Sequence, residues 1–175
     1  MIKIHAGKYK GQKINITGID STRETASMVR EAVFNSLYEV DGKVLDLFAG
    51  SGSLGITALS MGASFCYFID NNFKATKNIK DNLDKLKISN YKVINQDYNL
   101  FLKTNLEIFD LIFLDPPYDF KEYKNLLMEV RKVLNLDGKI ILEVSSKLDD
   151  ILIDSLDIIK SKKYGNKKII IYQGL

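Results

Sequence analysis

The sequence has few of the residues that metal centres, disulfides and hydrolytic triads require. Among its 175 residues there is one cysteine, Cys66, and one histidine, His5. A lone cysteine cannot form an internal disulfide, and it cannot build a zinc site with one distant histidine. His5 is the only imidazole base, and it lies in a polar N-terminal stretch away from any serine or cysteine motif. We therefore expect no metal, and we exclude a disulfide-bonded secreted protein and a serine or cysteine hydrolase.

The sequence also lacks internal repeats and the apolar core of a secretory signal. The second absence predicts a cytoplasmic location. Residues 47–69 carry no charge and are numerous enough to span a bilayer, but they include four glycines and four serines. That composition is typical of a strand, a loop, a helix and a second strand, so we predict no membrane span. A chain of this length with 46% hydrophobic and 27% charged residues fits one globular domain.

Positive charge is concentrated at the two ends of the chain. The net charge is only +3, yet residues 1–19 hold four lysines and residues 158–175 hold five, with no acidic residue in either segment. Such segments are solvated edges that resist aggregation, or they bind nucleic acid, and composition alone leaves both interpretations open. Arginine is rare, so Arg23 and Arg30 stand out among the basic residues.

Hydrophobic periodicity predicts alternating strands and helices from residue 44 onward. Strands are predicted at 44–48, 65–69, 91–94, 111–114 and 139–144, and helices at 54–61, 73–86, 98–103 and 123–134. Continuous apolar runs such as 111–114 are typical of parallel strands buried on both faces. The alternation therefore predicts a doubly wound α/β sheet.

Both ends of the chain depart from this alternation. Gly165-Asn166 joins two β-type runs, 158–164 and 167–172, and predicts a hairpin with an antiparallel last strand. A seven-stranded, mostly parallel sheet that ends in such a hairpin is the architecture of Rossmann-like class I methyltransferases. At the front, residues 2–4 and 13–16 predict a small β-ribbon, and 27–38 a helix. No linker separates these elements, so we expect a single domain over 1–175, with 1–40 as an extension and 41–175 as the core.

A glycine-rich loop and two aspartates predict a nucleoside cofactor. Gly50-Ser51-Gly52-Ser53-Leu54-Gly55 follows a strand and opens a helix, where backbone N–H groups can approach a ligand. Asp70 ends the next strand and is placed to accept from ribose hydroxyls. These features leave NAD and S-adenosylmethionine both open, and close packing alone would also explain glycines here. Asp46, inside the first strand, favours S-adenosylmethionine because a carboxylate there can meet a cationic amino-acid portion, unless it is a structural buried aspartate.

Two further aspartates follow strands. Asp97 could accept from the adenine amine, or it could cap the next helix.

Both prolines of the chain lie in Asp115-Pro116-Pro117-Tyr118, directly after the fourth strand. This stiff loop offers acceptors only, so the Asp115 carboxylate and the Pro116 carbonyl could hold an exocyclic amine while Tyr118 stacks on the base. Asp115 could take the proton, and a base in a duplex would first have to flip out. The alternative is a turn with no catalytic role.

Six segments of the sequence carry a resemblance to a known family. They are IHAGKYKG at 4–11, VREA at 29–32, FN at 34–35, DLFAGSG at 46–52, LG at 54–55 and DPPY at 115–118. Together they resemble the bacterial small-subunit ribosomal RNA guanine-N2 methyltransferases of the RsmD type. The match covers nearly the whole chain. Many amino-methyltransferases share the DPPY tetrapeptide, so the two N-terminal segments are the specific part.

The resemblance implies methylation of a guanine N2 amine in 16S ribosomal RNA, with S-adenosyl-L-methionine as the cofactor and small-subunit particles as the partner. We also expect the protein to be a monomer. It implies a catalytic loop at Asp115, Pro116, Pro117 and Tyr118. The cofactor positions that we infer are Asp46, Phe48, Ala49, Gly50, Gly52, Asp70, Asn71, Asp97, Tyr98 and Asp115. The extension 1–40 would face RNA through Lys8, Lys10, Lys13, Arg23 and Arg30.

This chain departs from the family pattern at four places. Glu24 stands where the pattern has proline, Thr57 where it has glutamate, Met61 where it has arginine, and Asp70 where it has glutamate. None of these lies in the catalytic tetrapeptide. The alternatives to guanine methylation are adenine-N6 methylation of a nucleic acid, an NAD-dependent oxidoreductase and a noncatalytic ribosome-assembly factor. Glu143, near the end of the fifth core strand, could be structural or could support the site.

Overall fold

The strands and helices follow the order that the sequence pattern predicts. The structure is a computed structural model that describes residues 1–16, 23–37 and 39–175, without the side chains of residues 23–27. Its elements are β1 (Ile2–Lys3), β2 (Lys13–Ile14), α1 (Arg23–Asn35), β3 (Lys43–Asp46), α2 (Ser53–Met61), β4 (Phe65–Asp70), α3 (Phe73–Lys85), β5 (Tyr91–Asn95), α4 (Tyr98–Thr104), β6 (Phe109–Leu114), α5 (Tyr123–Arg131), β7 (Leu134–Ser145), β8 (Leu156–Tyr164) and β9 (Lys167–Gly174).

A seven-stranded sheet forms the centre of the molecule. Its strand order is β5-β4-β3-β6-β7-β9-β8, and the first five of these strands run parallel to one another. β9 pairs antiparallel with both β7 and β8. The predicted Rossmann-like methyltransferase sheet with a C-terminal antiparallel hairpin is therefore confirmed.

Side chains from both faces of the sheet are buried, as the uninterrupted apolar runs predict. Leu111 and Phe113 of β6 pack into one core, and Ile112 and Leu114 pack into the other. This division follows from the two-residue period of a strand. Cys66 of β4 is fully buried in the first core, where burial raises the pKa of its thiol. Its place in the fold is that of a small hydrophobic residue.

The N-terminal ribbon β1–β2 is tied to the core by hydrogen bonds. The Lys8 N–H donates to the Ser60 carbonyl at the end of α2 (2.7 Å), and the Ser60 hydroxyl donates to the Ala6 carbonyl (2.6 Å). The buried Asn82 amide of α3 accepts from the Asn15 N–H and donates to the Asn15 carbonyl, at 2.8 and 2.9 Å. The ribbon thus lies against α2 and α3. A single domain over 1–175 remains our expectation.

Several element ends differ from those predicted. α5 ends at Arg131, because Leu134 pairs with Phe109 of β6 and so begins β7, well before the predicted start at residue 139. Asp137-Gly138, a pair typical of turns, lies inside β7, at a register shift where Asp137 has a φ of 60°. The front strands are shorter than predicted, and α1 runs from Arg23 to Asn35. Tyr38, the predicted end of that helix, lies outside the described residues. Among the described residues, no helix is both long and apolar enough to cross a membrane.

Candidate active site

The carboxyl ends of the central parallel strands meet around one open cavity of about 440 Å³. The strand order reverses between β3 and β6, and this is the crevice in which doubly wound sheets bind ligands. The lining residues are Leu47, Phe48, Gly50, Asp70, Asn71, Asn72, Gln96, Asp97, Tyr98, Asp115, Pro117 and Phe120. We call this space the first cavity.

Asp70 connects the glycine loop to the end of β4. Its carboxylate accepts from the Gly50 N–H at 2.8 Å and from the Asn72 N–H at 2.8 Å, one bond to each oxygen. A carboxylate oxygen has two acceptor positions, so these bonds leave capacity for a ribose diol. Asp70 therefore lies in the wall of the first cavity with acceptor positions to spare, and ribose binding by its carboxylate stays a prediction.

The three predicted glycines of the loop are required for different reasons. A Cβ on Gly52 would lie 2.9 Å from the Ile79 side chain, and a Cβ on Gly55 would lie 2.3 Å from the Phe68 ring. Close packing explains these two positions. Gly50 has a φ of 51° and lines the first cavity. The packing interpretation thus holds for Gly52 and Gly55, whereas Gly50 faces the first cavity.

Asp46 lies at the end of β3 and is 2% exposed. Its carboxylate accepts from the Gly55 N–H at 3.0 Å, in the first turn of α2. Burial raises the pKa of Asp46 to about 8, and the negative charges of Asp115 and Asp70 add to this rise, whereas the Gly55 hydrogen bond opposes it. Asp46, Ala49 and Gly52 lie outside the lining of the first cavity. Asp46 is therefore a buried acid beside the cavity, close enough to respond to a positive charge bound there.

One wall of the first cavity is aromatic. The Phe48 and Tyr98 rings lie 5.0 Å apart, and Phe120 lies 5.9 Å from Phe48 and 5.8 Å from Tyr98. Tyr123 continues the cluster at 5.1 Å from Phe120. The sequence predicts Phe48 and Tyr98 but not Phe120, which has no strand or glycine motif beside it. Asp97 caps α4 by accepting from the Asn99 and Leu100 N–H groups at 2.9 and 3.2 Å.

The Asp-Pro-Pro-Tyr segment separates the first cavity from a second one of about 410 Å³. The second cavity is lined by Asp115, Pro116, Tyr118, Tyr123, Glu143, Val144, Ser145, Asn166 and Lys167. Pro117 faces the first cavity and Pro116 the second, and Asp115 borders both. The loop is closed by a hydrogen bond from the Phe120 N–H to the Pro117 carbonyl (2.9 Å). Tyr118 is 94% exposed, so its ring is accessible to a stacking partner.

Glu143 and Lys167 form an ion pair in the wall of the second cavity. Glu143 comes from β7 and Lys167 from the start of β9. Tyr123 lines the same cavity, and its pKa is raised mainly by burial and further by the negative charge of Asp115. The sequence leaves the role of Glu143 open and does not single out Lys167 as a site residue, because their proximity depends on how β7 and β9 pair.

The two basic segments differ in their surroundings. Lys8, Lys10 and Lys13 are exposed on the N-terminal ribbon. Arg30 is half-buried, and its charge lowers the pKa of His5, although burial of the imidazole is the larger cause. The side chain of Arg23 lies outside the described part of the chain.

At the other end, three of the five C-terminal lysines contact other polar groups of the protein. Lys167 contacts Glu143, the buried Lys168 contacts Asp150 at 2.7 Å, and Lys160 contacts the Ser36 hydroxyl. A structural role explains Lys160 and Lys168, whereas Lys167 lies in the wall of the second cavity. In the ranges 1–16, 23–37 and 39–175, no group of three or more His, Cys, Asp or Glu side chains is arranged to hold a metal ion.

Comparison with known proteins identifies the family. The family model described as Conserved hypothetical protein 95 matches residues 2–173. Ribosomal RNA small subunit methyltransferase D of Haemophilus influenzae is 33% identical over 98% of this chain and 93% of its own length. Among solved structures, yhhF, a provisionally assigned methyltransferase of Escherichia coli, superposes with a TM-score of 0.87 at 26% identity over 99% of this chain and 97% of that one.

A more distant solved structure shares the fold. SMU.776, a provisionally assigned methyltransferase complexed with SAH, shares the fold at a TM-score of 0.73 and 14% identity, over 94% of this chain and 52% of that one. The chain is a member of a methyltransferase family, so the prediction of S-adenosylmethionine as the cofactor is confirmed and the oxidoreductase alternative is excluded. The chain belongs to the Conserved hypothetical protein 95 family, the family of ribosomal RNA small subunit methyltransferase D, and it is an S-adenosylmethionine-dependent methyltransferase.

Proposed function

We propose that this protein transfers a methyl group from S-adenosylmethionine to the exocyclic N2 amine of a guanine in 16S ribosomal RNA. The observation that carries the proposal is the position of Asp115, which borders both cavities. A cofactor in the first cavity and a base in the second would meet at this loop. The choice of small-subunit ribosomal RNA as the substrate follows the names of the relatives, which are ribosomal RNA small subunit methyltransferases.

The reaction requires positioning and one proton acceptor. The N2 nitrogen attacks the methyl carbon, so a N–C bond forms while the S–CH3 bond breaks and the sulfonium becomes a neutral thioether. N2 then has one proton in excess, which Asp115 accepts or passes to water. Before transfer, the Asp115 carboxylate and the Pro116 carbonyl hold the two N2 hydrogens and keep the amine in line with the methyl group.

Residues on both sides of the loop would complete the site. Asp70 would bind the cofactor ribose, and Gly50 would leave room for the backbone to approach the ligand. Tyr118 would stack on the flipped base, a contact worth about 1–3 kcal/mol. The exposed Lys8, Lys10 and Lys13 would contact phosphates. Binding as a monomer to small-subunit particles, and the cytoplasmic location, stay predictions.

The test supplies labelled S-adenosylmethionine to small subunits from cells that lack this gene, followed by nucleoside digestion and mass spectrometry. We expect the label in N2-methylguanosine, and we expect Asp115→Ala to lower its rate of formation by roughly 10²–10⁴-fold. Asp119→Ala is the matched control, because Asp119 is an exposed carboxylate four residues along the same segment. Label in N6-methyladenosine would refute the guanine assignment, and no label in any nucleoside would refute the ribosomal substrate.

A further inference from the structure

The second cavity contains one pair of opposite charges in its wall, Glu143 and Lys167. In the β7–β9 register, Glu143 is opposite Ile169 and Lys167 is opposite Ser145. The two charged residues are therefore diagonal neighbours on one face of an antiparallel pair, within reach of each other. Their side chains are 14% and 28% exposed and in contact through Oε1 and Nζ.

The location of this ion pair brings it beside the acceptor loop. Lys77–Asp81 and Lys132–Glu129 are surface pairs within α3 and at the end of α5, and Lys43–Glu107 and Lys168–Asp150 join other elements of the fold. Glu143 and Lys167 instead share the wall of the second cavity with Asp115 and Pro116, the groups that would hold the reacting amine. A ligand in that cavity would therefore meet an acceptor loop, a carboxylate and an ammonium group.

We infer that Glu143 and Lys167 read the Watson–Crick edge of the target base and select guanine. The inference rests on the proposed guanine-N2 methylation. Along that edge guanine presents, in order, the N2 amine, the N1–H donor and the O6 acceptor. With N2 at Asp115 and Pro116, the Glu143 carboxylate accepts from N1–H and the Lys167 ammonium donates to O6.

The contact between the two side chains is compatible with this role. A carboxylate has about four acceptor positions on its two oxygens, and an ammonium has three N–H donors. The pair can therefore keep its mutual contact while each member binds one atom of the base. Cationic side chains also bind guanine O6 in the DNA major groove, together with N7, so an ammonium is a suitable donor to this oxygen.

The same arrangement rejects the other amino-bearing bases. With the N6 amine of adenine in the acceptor loop, the next atom is N1, an acceptor that would face the Glu143 carboxylate, followed by a C–H group. Cytosine presents N3 and O2 acceptors beside its amine. A site built to hydrogen-bond one pattern of donors and acceptors discriminates strongly because its own groups are left unpaired by the wrong ligand.

The test uses 2,6-diaminopurine in place of the target guanine. This base keeps the reacting 2-amine, but its N1 is an acceptor and its 6-substituent is a donor. Small subunits are assembled with 16S rRNA that has been ligated to carry either base at the position labelled in the previous experiment. We expect wild-type kcat/KM to favour guanine by about 100-fold or more.

The variants separate base reading from a structural role. Glu143→Gln can donate to N1 of diaminopurine, and Lys167→Gln can accept from its 6-amine, so each should reduce the preference for guanine by about tenfold or more. Glu107→Gln, which breaks the Lys43–Glu107 pair elsewhere on the molecule, should leave the preference unchanged. Cofactor affinity should be unaltered in every variant, because neither Glu143 nor Lys167 lines the first cavity.

The outcomes are distinguishable. Base reading would be overturned if wild type preferred guanine over diaminopurine by less than about threefold. It would also be overturned if both glutamine variants lowered kcat/KM equally for the two bases and so left the preference unchanged. If Glu143→Gln loses cofactor binding through misfolding, the Lys167→Gln ratio decides. Failure of the proposed function would appear differently, as absence of N2-methylguanosine with wild-type protein and unmodified guanine.

Discussion

Replacing Asp46 by asparagine should change the number of protons released when the cofactor binds. Without ligand, burial and the neighbouring Asp115 and Asp70 charges raise the pKa of Asp46 to about 8. The cofactor brings a sulfonium and an ammonium group, and a positive charge in the adjacent cavity favours the ionised carboxylate. Binding should therefore expel the proton that Asp46 holds at neutral pH.

The magnitude follows from the pKa. At pH 7 a group with a pKa near 8 is about 90% protonated, so full ionisation on binding releases about 0.9 proton per cofactor. Asparagine cannot titrate, yet its amide oxygen can still accept the Gly55 N–H bond. Titration of the cofactor itself is common to both proteins and cancels in the difference. At pH 9 the wild-type Asp46 is already about 90% ionised, and the difference should fall to about 0.1 proton.

Isothermal titration calorimetry in buffers of low and high ionisation enthalpy measures this proton count directly. We expect wild type to release about 0.9 proton more than Asp46→Asn at pH 7 and almost the same number at pH 9. Asp41→Asn, at an exposed aspartate just before β3, is the matched control and should behave as wild type. Equal proton release by wild type and Asp46→Asn at pH 7 would refute the coupling.

Three further predictions concern stability and substrate affinity. Because the pKa of Asp46 is raised, the folded state binds more protons than the unfolded state between pH 3.8 and about 8, and wild-type stability falls as the pH rises through this range. The Tm of Asp46→Asn should therefore rise relative to that of wild type from pH 5 to 8. Tyr118→Ala should raise the KM for RNA by about 5–150-fold with unchanged Tm, whereas Tyr118→Phe should bind RNA nearly normally. Gly7→Ala should lower the free energy of unfolding in urea by about 1–3 kcal/mol more than Gly11→Ala, because a Cβ at Gly7 would lie 1.9 Å from the Ser60 carbonyl oxygen whereas Gly11 has open space.

The first cavity of the candidate site could be predicted from the sequence because local motifs build it. A strand, a glycine loop and a helix are consecutive in the chain, and Asp70 follows the next strand, so parallel pairing of β3 and β4 brings it to Gly50. Local sequence patterns do not predict where α5 ends. Residues 133 and 134 continue its apolar spacing, but Leu134 has a pairing partner in Phe109, and that tertiary contact outweighs the helical pattern.

The second cavity could not be predicted in the same way, because three separate segments of the chain form it. The second cavity joins residues 115–123, 143–145 and 166–167, and only the first segment carries a recognisable motif. Whether Glu143 and Lys167 meet depends on the register of β7 against β9. A slip of one residue would turn one of them to the opposite face of the sheet and separate the charges. The hairpin at Gly165-Asn166 sets the pairing of β8 with β9, whereas burial of Ile141, Ile169 and Ile171 in one core fixes β9 on β7. Packing of apolar side chains far from the reacting atoms therefore determines which charged groups reach the second cavity.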